Sequence, residues 1–534
     1  MTKYIFLTGG VVSSLGKGIT AASIGCLLKL HGLKVNMLKI DPYLNIDPGT
    51  MSPYQHGEVY VTADGGETDL DLGHYERFLE QNMKEENNMT AGQIYDTIIK
   101  KERKGDYLGK TVQVVPHVTD EIKFRIKKLA RNNDIVIVEI GGTVGDIESL
   151  PFLEAARQFS YDLGKEKVLY IHVTLVPTIE VTGETKTKPT QHSVMQLRNI
   201  GIQPDIIICR CKHKLLKEMK SKIALFCNVK EQAVIDEPDV GDIIYEVPIL
   251  LQQQNIDLLI LNYFGFKYQK KNNLTKLNEL IQNYKKSNTK VTISVAGKYT
   301  ELKDAYKSIW EALIHSGIFN KTKINIKYVD VEKETLYDQL KFSNGILVPG
   351  GFGDRGIEGK IKTIEYARVN KIPFLGLCLG MQCAVIEFAR NVCGLKGANS
   401  TEFCKNTPYP VISLMEEQKK VDKMGGTMRL GEYKCVLDKN SISYKLYGVR
   451  TVYERHRHRY EFNNKYRNIL EKNGLKVVGI NPTKNLVEII EIKDHPWFIA
   501  TQFHPEFYSR PLRPHPLFNG FINAAKIYSS KEKK

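Results

Sequence analysis

The 534-residue sequence predicts an α/β protein made of two doubly wound domains with mostly parallel sheets. Three observations predict it. Apolar runs of strand length alternate with helix-length amphipathic segments in both halves. A glycine-rich loop leads from the first apolar run into a helix, and a Gly-x-Cys-x-Gly turn does the same in the second half. A basic, polar stretch poor in apolar anchors separates the halves. These set an N-terminal nucleotide-binding domain at 1–265, a linker at 266–288, a second domain at 289–527 and a disordered tail at 528–534.

In the first half, Lys3–Thr8, Val35–Ile40, Ile135–Ile140, Val168–Val173 and Ile206–Cys209 read as buried strands, because they are apolar, β-branched and too short for helices. In the second half the strands are Val291–Ala296, Ile324–Val329, Gly345–Val348, Pro373–Leu377 and Trp497–Gln502. Asp304–Gly317 reads as a helix stopped by its glycine, and Gly380–Val392 as another.

Composition excludes several classes. Hydrophobic residues at 42% and charged residues at 25% are ordinary for globular chains, and no apolar run approaches the ~18 residues of a spanning helix. The N-terminus reads as a strand entering a glycine loop, not as a signal peptide. Nine scattered cysteines point to a reducing cytoplasm, and Cys209 and Cys211 are too close for a zinc pair. The net charge of +16 suits anionic partners, nucleic acid or phosphorylated small molecules, or reflects a lysine-rich surface only.

After the first strand runs Gly9-Gly10-Val11-Val12-Ser13-Ser14-Leu15-Gly16-Lys17-Gly18-Ile19-Thr20. Glycines let backbone N–H groups curl round phosphate, and Lys17 adds a mobile positive charge. The loop departs from the strict phosphate-loop pattern, since no hydroxyl follows Lys17 directly. Magnesium would then draw oxygen ligands from elsewhere, and Asp71 and Glu139 are the candidates. A strand-end glutamate such as Glu139 also pairs commonly with lysine or arginine. Asp146-Ile147-Glu148 and Lys186-Thr187-Lys188-Pro189-Thr190-Gln191-His192-Ser193 are polar segments without a core explanation. The second is either a phosphate- or base-reading segment or a solvated basic loop.

In the second half, Leu377-Cys378-Leu379-Gly380 has the layout of a nucleophile elbow with cysteine as nucleophile. The helix N-terminus behind it favours thiolate, although a buried structural cysteine is the common alternative. His504 and Glu506, two apart at the end of a strand, would serve as base and orienting carboxylate. The N–H groups of Gly351, in Pro349-Gly350-Gly351-Phe352-Gly353, and of Leu379 would form an oxyanion hole.

With these motifs on the page, the second half resembles class I glutamine amidotransferases, and the whole chain from Tyr4 to about Gly520 resembles the CTP synthase family. Lys39–Met51, Glu67–Tyr75, Glu139–Pro151, Ala398–Glu402 and Glu454–Tyr460 continue the match. The resemblance implies that ATP phosphorylates the 4-oxygen of UTP and that ammonia freed from glutamine, kept from water on its way, displaces the phosphate. It assigns ATP to Ser14, Leu15, Gly16, Lys17, Gly18, Ile19 and Asp71, with Asp239 and Val240 in a departing segment. It assigns UTP, or CTP as inhibitor, to Ser13, Asp146–Glu148, Lys186–Gln191 and Lys222. Glutamine falls to Gly351, Leu379, Gly380, Met381, Gln382, Glu402 and Arg459, and magnesium to Asp71 and Glu139. Lys39 would be a second phosphate-facing cation. The resemblance further implies activation by GTP, inhibition by CTP, a homotetramer, no organic prosthetic group, no nucleic acid and no membrane. Gly425–Gly431 resembles part of a glutaminase lid, and Met415–Lys423 is shorter and richer in lysine than the family pattern.

Two other readings compete. An amidotransferase of cobyrinic-acid type would share the ATP loop and the glutaminase but lack the Lys186–Gln191 pattern. A non-catalytic, filament-forming nucleotide binder would have no need of Cys378, His504 and Glu506. The run Arg455-His456-Arg457-His458-Arg459 could alone pass for a nucleic-acid patch.

Overall fold

The computed structural model describes residues 1–241, 243–267, 274–298, 302–414 and 428–532. The expected lid segment up to residue 427 and Met415–Lys423 lie outside them. The chain divides into two compact units, one comprising Met1–Thr50 and Thr68–Asn278, the other Met51–Glu67 and Glu279–Lys534.

The first unit holds a seven-stranded sheet. Its strands are β1 (Lys3–Gly9), β2 (Val35–Asp41), β3 (Asn88–Thr90), β4 (Ile135–Ile140), β5 (Val168–Leu175), β6 (Ile206–Cys211) and β7 (Val234–Pro238). The order is β7-β6-β5-β1-β4-β2-β3, and every pairing is parallel. A parallel sheet is covered on both faces, and β4 is accordingly buried at all six positions. One face packs against helices that contribute Ile94, Ile122 and Phe159, with Phe159 edge-on to Tyr4 at 4.6 Å. Helix α1 (Lys17–Leu30) covers the other face together with α2 (Asp71–Leu79). Strand order reverses around β1, so the loops after β1 and β4 border the crevice where open α/β sheets bind ligands.

The second unit has a nine-stranded sheet. Five strands are parallel, in the order β9 (Lys323–Asp330), β8 (Lys290–Gly297), β10 (Gly345–Val348), β11 (Phe374–Leu377) and β16 (Phe498–Thr501). The sheet then continues antiparallel through β15 (Leu486–Ile492), β14 (Leu475–Asn481), β12 (Arg429–Leu437) and β13 (Thr451–His458). Helices α3 (Lys307–Phe319) and α6 (Pro516–Glu532) pack together on one face, while α4 (Ile357–Val369) and α5 (Leu379–Asn391) pack on the other.

All ten expected strands are present within a residue or two at each end. Gly317 does not end its helix; it lies inside α3, where the missing side chain lets Ile324 pack close. The tail expected to be disordered is helical through residue 532. Residues 51–67, expected in the first domain, belong to the second compact unit. They are held there by Glu58, which accepts hydrogen bonds from the Ser308 backbone N–H and hydroxyl, and by Arg455, which donates to Tyr60 and Val61.

Candidate active site

In the first unit the loop after β1 uses left-handed backbone at Val11, Ser14 and Gly16 to wrap round the start of α1. Ser13 and Ser14 are exposed on it, and Lys17 is buried at the first turn. Lys17 Nζ donates to the Gly142 carbonyl at 2.8 Å, tying the loop to the turn that carries Asp146–Glu148. Burial pushes the Lys17 ammonium below its ordinary value, while Glu139 and Asp71 pull it back. Gly18 has no room for a side chain: a Cβ there would stand 2.1 Å from Asp71 Oδ1. The glycine-rich loop and the α2 carboxylate are thus packed in contact.

The sequence-level candidates Asp71 and Glu139 converge on one point, and that point is the Lys39 ammonium. Lys39 Nζ donates to Asp71 and, at 3.2 Å, to Glu139 Oε1, with Asp69 at 3.7 Å and Asp41 at 3.8 Å. Burial opposes the charge on Lys39, but these carboxylates hold it well above its usual value. Lys39 is thus enclosed by four carboxylates. Asp71 is held down to about 2 against burial, chiefly by Lys39. Burial and Asp71 push Glu139 up to about 7, and Tyr75 donates its hydroxyl to it. Among the described residues no three metal-binding side chains form a ready cage. The two carboxylates nevertheless fit magnesium: they are hard oxygen donors already gathered round a cation.

Asp239 and Val240 line a cavity of about 250 Å³ with Gly16, Ile19, Arg210, Glu237 and Val247, next to the phosphate loop. Arg210 grips both Glu237, at 2.9 Å, and Asp239, at 2.7 Å. Lys186 pairs with Glu184, Thr187 and Thr190 are buried, and Lys188 through Gln191 form the first turn of the helix Lys188–Asn199. Asp146 accepts the Thr143 N–H at 2.9 Å, while Ile147 and Glu148 are exposed. Lys222 is exposed on the neighbouring helix Lys217–Cys227.

In the second unit Cys378 joins β11 to α5 with φ +52° and ψ −102°, a left-handed φ that presents the sulfur at the head of the helix. Gly380 permits the turn, since a Cβ would fall 2.2 Å from the Val348 carbonyl oxygen. His504 Nδ1 donates to Glu506 Oε1 at 2.7 Å. Gly350 lies against both His504 and Cys378, so histidine and sulfur border the same backbone. Burial works against charge on His504, but Glu506 and Cys378 raise it to about 10. The Cys378 thiol also faces the Arg457 carbonyl and the Gln502 amide, each at 3.8 Å. Gln382 donates to Tyr460 O at 2.9 Å, and Glu402 accepts the Gly353 N–H at 3.4 Å. Leu379, Gly380 and Met381 are buried in the first turn of α5, and Arg459 exerts its charge on Glu402.

Sequence reasoning missed Gln502 and the Arg457 carbonyl beside the sulfur. It also missed Lys360, which is buried under the Pro349–Gly353 loop and donates to Pro349 O at 3.5 Å. A lysine one α-helical turn inside an apolar pattern is the only signal that could have marked it. The supposed basic patch is no patch: Arg455, His456 and His458 are buried.

The CTP synthase N-terminus family matches residues 3–266, and the class-I glutamine amidotransferase family matches 301–524. CTP synthase of Caldanaerobacter subterraneus subsp. tengcongensis is 61% identical over 98% of both chains. CTP synthase of Methanocaldococcus jannaschii is 59% identical over 98% of both chains. The solved glutaminase domain of Trypanosoma brucei CTPS with bound acivicin is 40% identical, with a TM-score of 0.42, covering 44% of this chain and 93% of that one.

Proposed function

The chain belongs to the CTP synthase family, and from that premise we propose which residues aminate UTP to CTP with ATP and the amide nitrogen of glutamine. Relatives alike over the whole chain favour this over a cobyrinic-type amidotransferase.

At the second site Cys378 attacks the glutamine amide as thiolate, with His504 holding the proton and returning it to the leaving ammonia. Glu506 keeps the imidazole in the useful tautomer. The N–H groups of Gly351 and Leu379 face the developing oxyanion. Glu402, Arg459 and Gln382 hold the amino-acid end of the substrate.

At the first site the loop Ser14–Ile19 cradles ATP phosphates, Lys17 neutralises the transferred group, and the cavity with Asp239 and Val240 takes the base. Asp71 and Glu139 would hold magnesium, which when bound supplies charge neutralisation to the phosphates. Ser13, Asp146–Glu148, Lys186–Gln191 and Lys222 hold UTP, or CTP as inhibitor. Phosphorylation turns the uracil 4-oxygen into a leaving group that ammonia displaces. The reading extends to activation by GTP, a homotetramer and a cytoplasmic location; among the described residues no helix is long and apolar enough to cross a membrane.

The observation that carries the proposal is the strained elbow at Cys378 beside the His504–Glu506 hydrogen bond. The test is Cys378→Ala: CTP formation from glutamine should vanish while formation from added ammonia persists. Loss of both would overturn the division of labour.

A further inference from the structure

Strand β13 is the edge of the nine-stranded sheet, so its ladder lies on one side only. Two of its carbonyls nevertheless meet the hydrolytic residues. Arg455 O accepts the His504 N–H at 2.8 Å, and Arg457 O faces the Cys378 thiol. An edge strand needs ties on its open side to hold such positions, and residues 51–67 supply them. Arg455 donates to the Tyr60 hydroxyl at 3.1 Å and to Val61 O at 3.0 Å. Tyr60 donates to Phe507 O at 3.2 Å, and the Phe507 ring stacks on His504 at 5.2 Å.

Arg457 joins three parts of the site. Its Nε donates to Glu67 Oε1 at 2.7 Å, with both side chains 13% exposed. Its guanidinium lies 4.7 Å from the centre of the Phe352 ring, the residue after Gly351. Its own carbonyl is the one at the thiol. An exposed ion pair would contribute little, but this one is largely desolvated and clamped between a loop and an edge strand.

We propose that Arg457 is a positioning residue for amide hydrolysis, its ion pair with Glu67 holding the strand carbonyl at Cys378 and the oxyanion loop in the reactive arrangement. The inference rests on the reading of Cys378, His504 and Glu506 as the hydrolytic triad.

The test uses the full-length enzyme with Arg457→Gln, Glu67→Gln, the double variant and Arg457→Lys, with Cys378→Ala as control. Each single glutamine variant should lower kcat for glutamine hydrolysis about tenfold or more, move KM by less than about threefold, and leave ammonia-driven CTP formation within about twofold. The double variant should fall no further than the worse single, because both remove one shared interaction. Arg457→Lys keeps the charge but loses the planar fork over Phe352, so its rate should fall between wild type and Arg457→Gln, which also keeps the test open if Arg457→Gln fails to fold. Hydrolysis retained in Arg457→Gln, independent losses that multiply in the double variant, or a lysine variant as poor as the glutamine one would overturn the inference. Hydrolysis retained in Cys378→Ala would instead bring down the triad reading beneath it.

Discussion

Replacing Glu506 with glutamine removes one charge and keeps the shape of the side chain. In the native protein His504 Nδ1 donates to that carboxylate at 2.7 Å, and the carboxylate helps raise the imidazolium to about 10 in spite of burial. A charge-assisted hydrogen bond contributes about 1.5–3 kcal/mol, roughly twice a neutral one, and each ~1.4 kcal/mol is a factor of ten in rate. Glu506→Gln keeps a neutral acceptor and so loses roughly half of that, about 0.75–1.5 kcal/mol, and should slow glutamine hydrolysis about 3- to 12-fold, through a weaker hold on the imidazolium rather than loss of substrate binding. Glutamate release measured against glutamine concentration should show kcat falling and KM holding. Alkylation of Cys378 by iodoacetamide at neutral pH should slow alongside, and CTP formation from ammonia should be unchanged. Hydrolysis within about twofold of wild type would refute the orienting role of Glu506, because one carboxylate would then supply almost none of the transition-state stabilisation. A matching loss of the ammonia-driven reaction would refute the assignment of this pair to one half-reaction.

Other outcomes follow from the same geometry. Lys17→Met should abolish CTP formation from both nitrogen donors while glutamine hydrolysis without nucleotide persists, as separate assays of the two activities would register. Retention of ammonia-driven turnover would remove Lys17 from phosphoryl transfer. His504 also makes stability depend on pH. Its folded value, about 10, lies above the ordinary 6.5, so its contribution is whole below 6.5 and is lost as pH rises through about 10. Thermal midpoints taken across that window should fall more steeply in the wild type than in Glu506→Gln; equal slopes would count against the charged pair.

The parts of the molecule legible in the sequence are those whose signal is local. Gly376 through Gly380 spells a strand, a strained turn and a helix within a few residues, and His504 and Glu506 stand two apart. Most of the parallel strands announce themselves as apolar runs because both their faces are buried, as in β4. Among the strands that escaped, β3 is three residues at an edge, β7 carries Asp236 and Glu237, and β13 reads Glu-Arg-His-Arg-His. In β13 Arg455 is buried against Tyr60 and Tyr508 and His456 against Glu488, which no local pattern reveals. The Lys39 cage was hidden for a related reason. It gathers Asp41 from its own strand, Asp69 from just before α2, Asp71 from the start of α2, and Glu139 from β4, one hundred residues away. The place of residues 51–67 was illegible too, because it depends on partners such as Arg455, whose sequence separation from Tyr60 is 395.

The most direct measurement of the whole account follows the nitrogen. Incubated with UTP, ATP and glutamine carrying a heavy isotope in its amide, the enzyme should yield CTP labelled at the 4-amino group, with one ATP hydrolysed for each CTP formed. Glutamine cleaved with UTP left unchanged, or CTP whose amino group carries no label, would contradict it.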